Sequence, residues 1–124
     1  MAGIIIRQDQ AETLDYEGRV NRIIDYLRER HPKEIAGISQ LQLRRAVEDR
    51  MGRAARYGMD EEAPIAAFVV LTFQVGERFD SHPKINAALN DPDIPPNIRI
   101  STLRRRITPR DWKESREISE RATR

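Results

Sequence analysis

The sequence predicts one all-α domain, a small single bundle of five to six helices around a buried central helix. Three observations lead to this prediction. Apolar residues recur at helical spacing early in the chain, residues 65–75 are apolar on nearly every side, and 124 residues are enough to bury one core. Cysteine is absent, so disulfides and thiolate sites are excluded and packing must supply the stability.

The chain begins with an arm and a helix. Residues 1–10 lack helical periodicity, so we expect an extended N-terminal arm in which Ile4, Ile5 and Ile6 form an apolar hook. Such a hook either docks on the body of the protein or is offered to a partner. Residues 11–30 are predicted to be helical, because apolar residues follow the i, i+3, i+4, i+7 spacing of an amphipathic helix: Tyr16, Val20, Ile23, Ile24 and Leu27. A proline at position 32 ends this helix.

The second and third helices carry clear start and stop signals. Residues 40–56 form the second helix, with Ser39 as its N-cap and Gly58 as the left-handed residue that closes it. Asp60 is the predicted N-cap of the third helix, and acidic residues in the first turn favour its positive end. Because residues 65–75 are apolar all round, we expect neighbours to enclose this helix, which would reach Phe79. The run would also suit a buried strand, but its length and its helical neighbours favour a helix.

Two helices are predicted after this core. A short helix over residues 83–89 begins with proline at its first position and is capped by Asp80 or Ser81. A helix over residues 96–106 follows a proline-rich connection and buries a stripe made of Ile100, Leu103 and Ile107. These elements complete a helical domain over residues 11–107.

Residues 108–124 are predicted to form a separate basic C-terminal helix or tail. Its helix, over residues 110–121, contains only two sizeable apolar residues, Trp112 and Ile118. With so little to bury, we expect it to fray, to project or to be held by a partner.

Charge is unevenly distributed along the chain. The formal net charge is +2, but residues 99–124 hold nine Arg or Lys against four Asp or Glu, or +5. Such a segment could neutralise nucleic-acid phosphates. Interleaved acids, for instance Glu117 four residues before Arg121, are more typical of a solvated helix with its own ion pairs, so nucleic acid is a less favoured partner.

The sequence contains no recognisable catalytic motif. Both histidines, His31 and His82, precede a proline in a connecting loop, where capping or solvation is their usual role. Carboxylates near His82 could in principle add up to a metal site, although no ligand spacing fixes them together: Asp80, Asp91 and Asp93. We therefore predict a protein that is not an enzyme, with no catalytic, metal or cofactor-binding residues and no cofactor.

Location follows from the apolar segments. The start of the chain is too short and too quickly charged for a signal peptide, and the longest apolar run is too short to cross a bilayer. The sequence thus predicts a cytoplasmic protein that does not bind membranes.

Three short motifs carry a resemblance. Arg-Tyr-Gly at residues 56–58 precedes the apolar helix, Gly-x-x-Phe-Asp at residues 76–80 ends it, and Arg-x-x-x-Leu at residues 99–103 lies in a later helix. Their order, over about residues 14–107, resembles small all-helical accessory proteins encoded beside the effector, spike and adaptor genes of bacterial type VI secretion systems. The resemblance implies a co-chaperone or adaptor role, such as loading an effector onto the spike, and it implies no active-site residues.

These considerations predict a protein-binding accessory factor, with the nucleic-acid-binding regulator as the alternative. The expected partner is another protein, an effector, adaptor or spike component. Tryptophan and arginine are frequent at the centres of protein interfaces. The predicted contact residues are Ile4, Ile5 and Ile6 of the arm, Phe79 and Asp80 of the turn, and Trp112 and Arg116 of the last helix. Alternatively, Trp112 folds back onto the body.

Overall fold

A computed structural model describes the backbone of residues 8–122 and the side chains of residues 15–122. Every regular element among these residues is helical, which confirms the predicted all-α class. The elements are α1 (Gln8–Arg30), α2 (Gln40–Arg56), α3 (Glu62–Gln74), a 3-10 turn (Phe79–Ser81), α4 (Pro83–Leu89), α5 (Pro96–Arg99), a second 3-10 turn (Ile100–Thr102), α6 (Leu103–Arg106) and α7 (Pro109–Ala122). Because α5, the second 3-10 turn and α6 follow one another directly, they form a single bent helical segment.

The core lies between α1, α2 and α3. Each helix contributes one apolar stripe at helical spacing, and α2 packs against both of the others. At the centre, Phe68 of α3 meets Phe79 of the 3-10 turn with ring centroids 5.2 Å apart, and both side chains are fully buried. Burial of a large apolar side chain stabilises the fold by roughly 1.5–3 kcal/mol. The stripes predicted for α1 and α2 supply eight of the twenty buried apolar residues of the described chain: Val20, Ile23, Ile24, Leu27, Leu43, Val47, Met51 and Ala54. Tyr16, the other residue of the predicted α1 stripe, is 40% exposed.

The termini of α2 confirm the sequence signals. Ser39 and Gln42 form a reciprocal capping box: the Gln42 N–H donates to Ser39 Oγ at 3.2 Å, and the Ser39 N–H donates to Gln42 Oε1 at 3.3 Å. Gly58 has φ +95° and follows the helix. A Cβ atom at Gly58 would also lie 3.1 Å from the Pro96 ring. Both the positive φ and this close approach therefore favour glycine at the position.

Two predicted helix starts are wrong. The helix α1 begins at Gln8, so residues 8–10 of the predicted arm are helical, while residues 1–7, with the Ile4–Ile6 hook, lie outside the described residues. Glu61, and not Asp60, is the N-cap of α3, and it makes no side-chain capping bond. The orphan N–H groups of Asp60 and Glu61 donate instead to Asn97 Oδ1, at 3.0 and 3.2 Å.

The cap of α4 and the end of α3 also differ from expectation. The helix α3 ends at Gln74, and Phe79 lies beyond it in the 3-10 turn. The cap of α4 is His82, whose Nδ1 accepts from the Lys84 N–H at 3.2 Å, and not Asp80 or Ser81. Asp80 cannot serve as that cap because its carboxylate is bound elsewhere in the core.

The last helix corrects a larger expectation. α7 neither frays nor projects within the described residues; it packs against the 3-10 turn at Phe79–Ser81. Its buried residues, Asp111, Ser115 and Ser119, are spaced by four and share one face. Small polar side chains therefore supply the fully buried contacts of this helix, and Trp112 adds a half-buried one.

None of the helices among the described residues is long and apolar enough to cross a membrane.

Candidate partner-binding groove

The outward face of α3 lines an open groove of about 840 Å³. Seven residues of α3 line it. One is Pro64, and the other six lie at i, i+3, i+4, i+7, i+8 and i+11: Ala63, Ala66, Ala67, Val70, Leu71 and Gln74. The sequence predicted that neighbours would enclose this helix on every side, and the structure encloses it fully on one face and partly on the other. The opposite face, with Ile65, Phe68, Val69 and Thr72, is buried in the core, whereas Val70 and Leu71 on the groove side are half-buried. We call this surface the α3 groove.

Two walls flank the α3 groove and leave the strip between them uncovered. On one side α1 runs beside α3 in the same direction, since Arg22 binds Glu62 at the start of α3 and His31 Nδ1 lies 3.4 Å from Gln74 Nε2 at its end. On the other side stands the bent segment of α5 and α6. The wall residues are Tyr26 and His31 on the first side and Asn97, Ile100, Ser101, Leu103, Arg104 and Trp112 on the second.

The chemistry of the lining is apolar with a sparse polar rim. Arg104 is the one lining residue with a permanent charge, and no Asp or Glu lines the groove within the described chain. His31 stacks obliquely on Tyr26 with ring centroids 5.7 Å apart, and its Nδ1 is 3.8 Å from a carboxylate oxygen of Glu34. The groove is thus a hydrophobic surface with one unmatched cation.

Trp112 is the predicted contact residue that the structure places at this surface. The first turn of α7 is fixed by a reciprocal pair in which the Asp111 N–H donates to Thr108 Oγ1 and the Thr108 N–H donates to Asp111 Oδ2, at 3.1 and 3.0 Å. This cap sets Trp112 at the groove edge, half-buried against the core. Arg116 is exposed one turn further along α7.

Phe79 and Asp80 lie inside the body. Their exposed fractions are 0% and 6%, so neither side chain offers a surface to a partner. Arg53 binds the Asp80 carboxylate and donates to the Glu77 carbonyl at 2.8 Å, while the Tyr57 hydroxyl donates to Asp80 Oδ2 at 2.7 Å. Burial, followed by the bond to the Asp80 carboxylate, raises the pKa of Tyr57 to about 12.

The three sequence motifs meet at this network. Tyr57, from the first motif, binds Asp80 of the second through its hydroxyl and Arg99 of the third through its carbonyl, which accepts from Arg99 Nη1 at 3.1 Å. The same guanidinium donates to the carbonyls of Leu89 and Ile94. The motifs therefore hold three segments of the fold together, and they do so beside Phe68 on the inner face of α3.

The metal ligands considered from sequence are not brought together. Asp80 is bound by Arg53, and Asp91 pairs with Arg106 at 2.9 Å. His82 lies instead with Asp111 and Glu114, and one potential ligand atom from each falls within 4.8 Å of the others. Because His82 Nδ1 accepts a backbone N–H, the hydrogen of the neutral ring is on Nε2, which faces Glu114 Oε2 at 2.9 Å. A cation there would have to displace that hydrogen, so the arrangement suits a hydrogen bond better than a metal.

His82 and Lys84 of the α4 start fasten α7 to the body. His82 binds Glu114, and Lys84 Nζ lies 3.4 Å from Asp111 Oδ1; we call these two pairs the α7 latch. The bond from His82 holds the pKa of Glu114 below its ordinary value, with a further contribution from Arg110. Hydrogen bonding from the Thr108 backbone, with Lys84 adding to it, likewise lowers the pKa of Asp111.

Sequence reasoning missed the α3 groove, although one signal was present. Alanines dominate one face of α3, and no later segment offers a long apolar stripe that could cover them. Comparison with known proteins adds no relative: no family model, no curated protein and no solved structure matches the chain.

Proposed function

We propose that this chain is a non-catalytic, protein-binding accessory factor of the cytoplasm that takes its partner in the α3 groove. One observation carries the proposal: the most apolar helix of the chain presents half-buried apolar residues to an open groove that no described element crosses. Contiguous apolar surface with a polar rim is typical of interaction sites, because a partner that covers it removes that surface from water. Trp112 at the edge adds a residue type that is enriched at interface centres.

A more specific form of the proposal is a co-chaperone or adaptor of a type VI secretion system, whose partner is an effector, adaptor or spike component. Its support is the order of the three motifs. Their hydrogen bonds join Tyr57, Asp80 and Arg99 behind α3, so residues shared with the resembled proteins hold the helix that carries the groove. In this view the motifs keep the scaffold rigid and the groove makes the contact.

Nucleic-acid binding through the C-terminal arginines is less favoured. Arg106 pairs with Asp91, and Arg110 pairs with Glu114 one turn along α7, so part of the basic charge is neutralised locally. A nucleic-acid complex would weaken steeply as salt rises, whereas a complex held by apolar burial would not.

Co-purification tests the proposal. The tagged full chain is expressed with the products of its neighbouring genes, beside Val70→Asp, which places a charge in the groove, and Leu41→Asp, which places the same charge on an apolar residue of α2 that is 58% exposed. We expect the wild type and Leu41→Asp to retain one partner at stoichiometric amounts and Val70→Asp to lose it. A partner retained by Val70→Asp, or a folded chain that retains none of these products, contradicts the proposal.

A further inference from the structure

We infer that the α3 groove takes a single amphipathic α-helix of acidic character from the partner protein. The inference rests on the proposed function and specifies what the partner must present. Three properties of the groove lead to it: the state of its backbone groups, its dimensions and its charge.

Backbone chemistry selects a helix over an extended segment. The groove is built from α1, α3 and the bent segment of α5 and α6, whose N–H and C=O groups are mostly paired within the helices. It therefore offers no strand edge to which an extended peptide could add. An extended peptide in this apolar channel would bury N–H and C=O groups without partners, whereas a helix pairs its own.

Dimensions agree with a helix of about three turns. The lining of α3 runs from Ala63 to Gln74, which at about 1.5 Å per residue is roughly 16 Å. Alanines fill the first half of this face, and Val70 and Leu71 fill the second. Small side chains let a second helix approach closely at one end, while the larger pair supplies a ridge at the other.

The charge of the groove predicts the sign of the charge on the partner helix. Arg104 lines the groove and makes no ion pair among the described residues, and no lining carboxylate opposes it. An acidic residue beside the apolar stripe of the incoming helix would match this guanidinium, and a basic one would be repelled. The partner is thus an amphipathic helix with apolar residues at i, i+3 or i+4, and i+7, and a carboxylate next to them.

A second copy of this chain fits less well. The exposed large apolar residues of the described chain are scattered over three helices and form no stripe: Tyr16, Tyr26, Leu41 and Ile98. Within the described residues, no helix presents the combination of an exposed apolar face and flanking acids that the groove requires.

Peptide selection tests the inference without knowledge of the partner. A display library of random peptides of about 16 residues, or four helical turns, is selected on the full 124-residue chain and counter-selected on Val70→Asp. We expect the enriched peptides to share helical apolar spacing with adjacent Asp or Glu, to gain ellipticity at 222 nm on binding, and to lose binding when proline replaces a central residue.

A matched pair of variants tests the charge. Arg104→Glu is expected to weaken the selected peptides at least about tenfold, and Arg105→Glu, an exposed neighbour with the same charge change but outside the lining, less than about threefold. Equal effects of the two variants would overturn the assignment of Arg104.

The remaining outcomes distinguish failure of the helix inference from failure of the proposed function. Enriched peptides that depend on Val70 but stay extended would contradict the inference that the groove binds a helix. They would still support the proposed function. Self-association that Val70→Asp abolishes would identify a second copy as the occupant, and tighter peptide binding by Ile5→Asp would identify the chain's own N-terminal segment. If no enriched peptide depends on Val70, the groove is not a binding surface and the proposed function fails with it.

Discussion

The helices α3 and α7 invert the usual relation between composition and burial. α3 contains one charged residue among 13, yet one of its faces is only half-buried along the groove. α7 contains eight charged residues among 14, yet it packs along the body with Asp111, Ser115 and Ser119 buried. The apolar content of a helix therefore indicates how strongly burial would stabilise it. Shape complementarity with the rest of the fold decides which of its faces is covered.

Small polar contacts explain the docking of α7. The Arg78 N–H donates to Ser119 Oγ at 2.9 Å, and the Ser115 hydroxyl donates to the Phe79 carbonyl at 3.3 Å. Both bonds satisfy backbone groups within or beside the 3-10 turn at Phe79–Ser81. Serine is short enough for α7 to approach this backbone closely, which a leucine stripe would prevent.

The largest expected contrast is between two adjacent valines of α3. Val69 is 0% exposed and Val70 lines the groove, so aspartate should lower the free energy of unfolding far more at Val69 than at Val70. We expect Val69→Asp to lower the free energy of unfolding by at least about 3 kcal/mol, because a buried charge is left without a partner. Val70 is half-buried beside the groove, where a carboxylate can reach water, so Val70→Asp should cost only about 1 kcal/mol.

Urea unfolding followed by far-ultraviolet circular dichroism measures this pair, with Leu41→Asp as the reference for an aspartate on an exposed helical position. Similar large losses for Val69→Asp and Val70→Asp would show that the outward face of α3 is covered in solution, and the contrast between the two helices would disappear.

A smaller effect is expected where α7 approaches the body most closely. A Cβ atom at Gly76 would overlap Cβ and Oγ of Ser119. Gly76→Ala should therefore displace the end of α7 and lower the free energy of unfolding by about 1–3 kcal/mol, as overpacking usually does. Urea unfolding of Gly76→Ala, Ser119→Gly and the double variant measures the coupling between the two positions. The double variant should be more stable than additivity of the single changes predicts; simple additivity would mean that α7 does not rest on Gly76.

Elements with local signals were predictable from the sequence. The bounds predicted for α2 and α4 agree with the structure, because Ser39, Gly58 and Pro83 act on residues next to them in the chain. The cap of α4 was not predictable in this way, because Asp80 is bound by Arg53 and Tyr57 of a distant helix end.

The site depended on long-range fit. Docking of α7 requires Gly76 and the Phe79 turn to face Ser115 and Ser119 across some forty residues of chain, which no spacing rule encodes. The α3 groove exists because no described element crosses between α1 and the bent segment of α5 and α6. Periodicity shows that a face is apolar, but not that the space opposite it is empty.

The smallest predicted effect is an acid dependence of the α7 latch. The folded-state pKa values of Glu114 and Asp111 are lowered from ordinary values of 4.5 and 3.8, so each carboxylate contributes stability that is present above its ordinary value and lost as pH falls through its lower folded value. His82, Lys84 and Arg110 face these carboxylates, and their ion pairs are lost when the carboxylates become protonated. Glu114→Gln keeps an acceptor for His82 but cannot titrate, so it should flatten the loss of stability between about pH 5 and pH 3 relative to the wild type.

Urea unfolding with Trp112 fluorescence at each pH measures this, and Glu117→Gln, an exposed change on the same helix, controls for net charge. If Glu114→Gln and Glu117→Gln flatten the profile equally, the His82–Glu114 pair of the latch contributes nothing specific, and the close packing of Ser115 and Ser119 on the body accounts for the docking of α7.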